Sequence, residues 1–209
     1  MRTRWITTGL VATAVALAPA WALGQSQRAP TDRVTDKAAS TEKSVKGEKS
    51  ASADKGKLAA GDRKFVMEAL KGGMAEVELG KLASERASSD AVKQFGKRMV
   101  EDHGKAGDEL KALARDKGVT PPTQLDAKHA RLRDKLAKLS GAEFDRAYVS
   151  EMVKDHRQDV KEFRREANAA KDPDVKGYAS KTLPTLEEHL KQVERLQAQT
   201  AGSAKTDRK

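Results

Sequence analysis

Residues 95–103 read FGKRMVEDH, and residues 148–156 read YVSEMVKDH. Each sets an aromatic, a methionine and a histidine four residues apart, the spacing that stacks side chains on one face of an α-helix. Neither stretch alternates with the period of two that a half-buried strand requires. Both read as amphipathic helices in which a histidine sits inside the apolar stripe. The second stretch follows the first by 53 positions, and Leu110 and Phe163 match one heptad further on. The echo reads as an internal two-fold repeat of a helical hairpin.

Working outward, the same period recurs across four helices. A first helix is expected from an N-cap at Asp62 to about Ala87, with Phe65, Ala69, Leu79 and Ala83 on one face and Glu76 near its centre. Ser88 and Ser89 restart the chain as a second helix, which ends near Lys117 with Gly118, Pro121 and Pro122 behind it. Its stripe runs through Val92, Phe95, Met99, Ala106, Leu110 and Leu113, and His103 lies in the middle. Ser140 and Glu143 have the spacing of a capping box and open a third helix to about Ala170, with Tyr148, Met152, Val160, Phe163 and Ala167 around His156. Asp172 and Pro173 supply an N-cap and a first-turn proline for a fourth helix to about Gln199. There His189 stands within about 60° of the stripe made by Val175, Ala179, Leu183, Leu186, Leu190 and Val193. Pro184 falls inside that helix and should kink it. Residues 123–139 read as a shorter helix within a long connection, and His129 on it as a surface residue. The fold class is all-α.

Depth along the helices agrees with angle around them. Counted from the two turns, Glu76 and His103 lie at nearly equal distances, as do His156 and His189; the mismatches amount to roughly 3 Å at 1.5 Å per residue. In two antiparallel hairpins the four residues therefore converge near mid-bundle.

Composition removes several chemistries. The 209 residues contain no cysteine, which excludes disulfide scaffolds, thiolate metal sites and thiol catalysis. The net charge of +10 is thin and evenly spread, and residues 61–200 carry only +3 of it. No clustered basic face of the kind nucleic-acid binding needs is present, so no nucleic-acid partner is expected. No Ser/His/Asp order, GxSxG, P-loop or HExxH motif occurs, which gives catalysis little support.

The N-terminus reads as an address. Arg2 and Arg4 precede an uncharged, mostly apolar run from Ile6 to Ala20, with small residues at Ala20, Ala22 and Gly24. That is the pattern of a secretory signal peptide over residues 1–24, cleaved after Ala22 or Gly24, and the run is too short for a membrane span. The expected location is the periplasm or outer envelope, with no transmembrane segment in the mature chain. Residues 25–60 are rich in Ser, Ala and Lys, with only Val34, Val45 and Leu58 as large aliphatics, and read as a disordered linker able to make weak contact with an anionic envelope surface. Residues 201–209 read as a disordered tail.

The combination of MVEDH (99–103), FDRAYVSEMVKDH (144–156) and LPTLEEHL (183–190) in an exported chain resembles the bacterial domain-of-unknown-function family 4142 (DUF4142), over about Gly61 to Gln199. The resemblance implies a ferritin-like four-helix bundle: two antiparallel hairpins joined by a long crossover. It implies no settled activity. The connection from Gly118 to Gly141 is long enough for such a crossover, which must be partly extended to run the roughly 40 Å of a 27-residue helix.

Di-iron sites in that bundle class use a Glu-x-x-His on two helices. Here Val100, Val153 and Leu186 stand three residues before the histidines, so a di-iron centre is disfavoured. One carboxylate and three imidazoles remain, Glu76, His103, His156 and His189, a donor set suited to one zinc, copper or iron ion. Met99 and Met152, one turn before two of the histidines, are either thioethers favouring Cu(I) or core filler. Two functional classes follow: a non-catalytic exported bundle in which Glu76 and the histidines form a polar layer fixing helix register, with Asp102, Asp155 and Asp159 as nearby partners, or a metal-binding or redox protein with a mononuclear Glu/His site.

Overall fold

The computed structural model describes residues 57–206, with side chains through Thr200. The expected signal peptide, all but the end of the linker and the last three residues of the tail lie outside the described residues. Five helices occur in order: α1 (Ala60–Arg86), α2 (Asp90–Asp116), α3 (Ala127–Leu136), α4 (Gly141–Ala169) and α5 (Pro173–Thr206). Among the described residues there is no strand.

α1 packs along α2 and α4 along α5 as two hairpins, and the hairpins meet through α1 against α4 and α2 against α5. Two buried aspartates fix their relative direction. Asp145, in the first turns of α4, accepts hydrogen bonds from Ser88 N (3.0 Å), Ser88 Oγ (2.6 Å) and Ser89 N (2.9 Å) at the α1–α2 turn. Asp62, in the first turn of α1, accepts from Lys171 N (3.1 Å) and Asp172 N (2.7 Å) at the α4–α5 turn. The start of α4 thus lies beside the start of α2. The end of α2 lies beside the end of α4, where Lys117 Nζ meets Asp172 Oδ2 at 2.8 Å. α2 and α4 therefore run parallel, and residues 117–140 carry the chain the length of the bundle. That crossover is non-helical through the prolines, then forms α3, which lies over α1 and α4.

Several local expectations change. Asp62 does not cap α1; the N-cap is Ala59, without a side-chain bond, and the carboxylate instead serves the other hairpin's turn. The Ser140 side chain makes no cap bond, because the chain enters α4 through Gly141 at φ +59°. Asp172 does cap α5, accepting from Asp174 N and Val175 N. At the end of α2, Gly118 adopts φ +66° and closes a Schellman motif, with Val119 N bonded to Ala114 O and Gly118 N to Arg115 O. Buried Val119 then seals the helix end. Pro184 sits on the exposed side of α5, which continues through it and on to Thr206, past the expected end at Gln199. Leu58, counted with the linker by composition, is buried in the core. The echoing stretches occupy the second helix of one hairpin and the first of the other, so they are not a hairpin repeat. The two-fold relation that the molecule does have is the exchange of aspartates between turns.

The core falls into two apolar clusters. One, near the α1–α2 turn, holds Leu79, Phe95, Met99, Phe144, Tyr148 and Met152; the other, near the α4–α5 turn, holds Phe65, Leu70, Leu110, Phe163, Tyr178 and Leu186. Glu76, His103, His156 and His189 fill the level between them.

Candidate metal centre

Each of the four long helices contributes one buried ionisable side chain to this level: Glu76 from α1, His103 from α2, His156 from α4 and His189 from α5. His156 and His189 are fully enclosed, His103 keeps 7% of its surface and Glu76 3%. The three imidazole rings form a compact triangle, with centroid separations of 5.6, 5.3 and 5.4 Å. One nitrogen from each lies within 4.8 Å of the others.

Outer partners fix which nitrogen each ring presents inward. His156 Nδ1 stands 3.0 Å from Met152 O, and a carbonyl only accepts, so Nδ1 carries the proton and donates. His189 Nε2 stands 2.8 Å from Asp102 Oδ2, and an ionised carboxylate only accepts, so Nε2 donates. The remaining nitrogens, His156 Nε2 and His189 Nδ1, face each other at 3.3 Å. His103 Nδ1 lies 2.9 Å from Glu76 Oε2, and its Nε2 is buried without a partner. Glu76 Oε1 also lies 3.3 Å from His156 Nδ1, but no well-aligned hydrogen bond reaches either Glu76 oxygen.

Charge follows from the same geometry. Burial pushes the Glu76 carboxyl up, but His103 and then His156 and His189 outweigh it and bring it down to about 2. Burial pushes the His103 imidazole down, yet Glu76 and Asp102 carry it above the ordinary histidine value. His156 is lowered by burial, with Glu76 opposing. His189 is lowered to about 4 by burial and by the two other histidines, with Asp102 opposing. Glu76 thus favours the charged form of His103, and burial favours the neutral forms of His156 and His189. No proton is then available to lie between His156 Nε2 and His189 Nδ1, and their lone pairs confront each other.

The four residues singled out in the sequence are thus brought together, but not in equal roles. Glu76 stands behind the rings, on the Nδ1 side of His103 and His156, and Asp102 stands behind His189. Asp102 was legible only as a nearby partner; its position one residue before His103 gave no sign that it serves the histidine of another helix. Met99 and Met152 are fully buried in the apolar cluster, and Met152 adds its backbone carbonyl to the site. His129 is half-buried rather than fully exposed, its side chain lying against Asp126. Asp155 and Asp159 flank Glu76 on α4, where burial and the Glu76 charge raise both carboxyls, Asp155 to about 6.

A family model described as a domain of unknown function, DUF4142, matches residues 47–196. This chain belongs to the DUF4142 family. Among solved structures, this DUF4142 chain is similar to a DUF305 fragment from Deinococcus radiodurans, at 16% identity and a TM-score of 0.60 over 68% of this chain and 99% of that one. It is similar also to CopM in its Cu(II)-bound form, at 15% identity and a TM-score of 0.56 over 66% and 96%, and in its Cu(I)-bound form, at 16% and 0.54 over 64% and 93%. These likenesses establish a shared helical fold. No curated protein matches the chain in sequence.

Proposed function

We propose that this domain is a metal-binding module that holds one copper ion, taken up as Cu(I), on His103 Nε2, His156 Nε2 and His189 Nδ1, and that the protein works outside the cytoplasm. The observation that carries the reading is the approach of His156 Nε2 and His189 Nδ1 to 3.3 Å while the other nitrogen of each ring meets an outward acceptor, Met152 O or Asp102 Oδ2, which leaves two facing lone pairs on neutral rings. A cation between them turns a repulsion into two bonds. Two nitrogens each 2.0–2.1 Å from one ion at a tetrahedral angle stand about 3.3 Å apart, so the observed separation fits. Glu76 and Asp102 then act as the carboxylates that orient metal-bound histidines.

Charge balance favours a monovalent ion. Asp102 is already offset by Arg98, whose Nε lies 3.2 Å away, which leaves Glu76 as the uncompensated negative charge once His103 gives up its extra proton. Replacing that proton by Cu(I) keeps the buried layer neutral. CopM, a similar fold, has been solved in Cu(II)-, Cu(I)- and Ag-bound forms. The basic start, apolar run and small-residue cleavage pattern of residues 1–24 support export.

The test is titration of untagged protein with Cu(I) and Ag(I), followed by elemental analysis after gel filtration. One equivalent bound by the wild type, lost in His156→Ala and His189→Ala variants that still melt cooperatively, is the expected result. Absence of stoichiometric metal under either ion refutes it and leaves the second reading, in which the Glu76–His103 pair at 2.9 Å is a polar layer fixing register. Intact mass of secreted protein lacking the first 22 or 24 residues tests the export part.

A further inference from the structure

His156 and His189 have no exposed surface, and His103 is the one of the three that retains some. Among the described residues, His103 lines two cavities. One is a small space of about 30 Å³; the other, between α1, α2 and the crossover, holds about 470 Å³ and is lined by His103, Met74, Leu125, Gly73, Gly104 and Gly107. A recess of about 70 Å³ on the opposite side reaches Glu76 but none of the three histidines.

The glycines of the large chamber have no packing reason to be glycine. Each costs a helix about 1 kcal/mol relative to alanine. At Gly80 and Gly96 an added Cβ would stand 2.6 and 2.7 Å from the partner helix's carbonyl, so close helix packing explains them. At Gly104 and Gly107 an added Cβ meets nothing within 4 Å, and at Gly73 it meets only His103 Nδ1, at 3.9 Å. What these three positions preserve is the open volume beside the His103 imidazole, the ring of the three that keeps some exposed surface. Met74 adds a thioether to the wall, a donor suited to soft cations.

We propose that this chamber is the port through which a soft monovalent cation enters and leaves the three-histidine site, kept open by Gly73, Gly104 and Gly107. The proposal rests on the metal-binding reading above. A port changes rates and leaves the equilibrium alone, because it touches the path and not the bound state.

Stopped-flow uptake of Ag(I) and its release to a competing chelator test this on the full chain, comparing wild type, Gly107→Leu and Gly177→Leu. Gly177 lies on α5, exposed, where an added Cβ also meets nothing within 4 Å, and serves as the control for a helical Gly→Leu change. The expected result is that Gly107→Leu slows uptake and release by the same factor, about tenfold or more, while affinity stays within about twofold and Gly177→Leu changes neither rate. Unchanged rates in Gly107→Leu overturn the port while leaving the metal site standing, as does slowed uptake with unchanged release, which makes the chamber part of the site itself. A wild type that takes up no Ag(I) overturns the metal reading and the port with it.

Discussion

Gly80 and Gly96 let α1 and α2 approach backbone to backbone, and the same substitution should have opposite signs at two glycines of α2. A Cβ on Gly96 would stand 2.7 Å from Gly80 O, 2.8 Å from Ala83 Cβ and 3.3 Å from Ser84 N. None of these atoms is the free end of a flexible side chain, so the hairpin must open by several tenths of an ångström at the level of buried Phe95 and Met99. Overpacking of this kind costs about 1–3 kcal/mol, and backbone obstacles put it near the top, at about 3 kcal/mol. Helix propensity returns about 1 kcal/mol. Gly96→Ala is therefore expected to lose about 2 kcal/mol, or about 4–8 °C in Tm for a domain of this size. Gly104→Ala gains the propensity and meets no obstacle within 4 Å, so it should rise by about 2 °C. Thermal melts followed by circular dichroism, with urea titrations to check that the slope is unchanged, measure both. Propensity alone predicts equal gains, so a Gly96→Ala protein melting at or above wild type would refute the packing argument.

Three further outcomes are expected. Asp145→Ala strips three hydrogen bonds from the α1–α2 turn and should cost about 3 kcal/mol by urea unfolding; a loss under about 1 kcal/mol would mean that the clamp contributes little. Tyr148 is fully buried and its hydroxyl has no hydrogen-bond partner, so Tyr148→Phe should gain about 1 kcal/mol, and a clear loss would show that the hydroxyl is satisfied. Burial raises the Asp172 carboxyl, but Lys117 and the N–H groups of Val175 and Asp174 outweigh it and hold it below its ordinary value of 3.8. Its stabilisation is then present above the unfolded-state pKa and fades as pH falls through the lower folded one, so the stability gap between wild type and Asp172→Asn should shrink below about pH 4, and a gap constant from pH 7 to pH 3 would contradict this.

The helices were legible because their signals are local. A period of 3.6 with an interrupting histidine needs no knowledge of partners, and Asp172-Pro173 and Gly118 act on their own backbone. The meeting of Glu76 with the histidines was legible because angle and depth agreed from two separate turns. What the sequence hid are contacts between distant segments. Asp62 looks like an N-cap because caps and first-turn acids share composition, and only the fold brings Lys171 beside it. The echo of residues 95–103 in 148–156 suggested hairpin duplication, but similar stripes arise wherever a helix crosses the same level of a bundle. The orienting part of Glu76 likewise depends on which face of each ring it meets, a matter of a single rotamer.

The exchanged aspartates have a consequence for how the molecule divides. A cut in the crossover separates two hairpins, each with a turn that lacks its acid and each carrying the acid that the other lacks. The candidate centre splits at the same seam, with Glu76 and His103 on one piece and His156 and His189 on the other. Neither piece is a smaller version of the whole; each is a half-lock. An ion bound at that seam, as proposed above, would be a rivet between them, joining the domain's assembly and its cargo in one equilibrium, so that whatever pulls the halves apart would also open the hand that holds the ion.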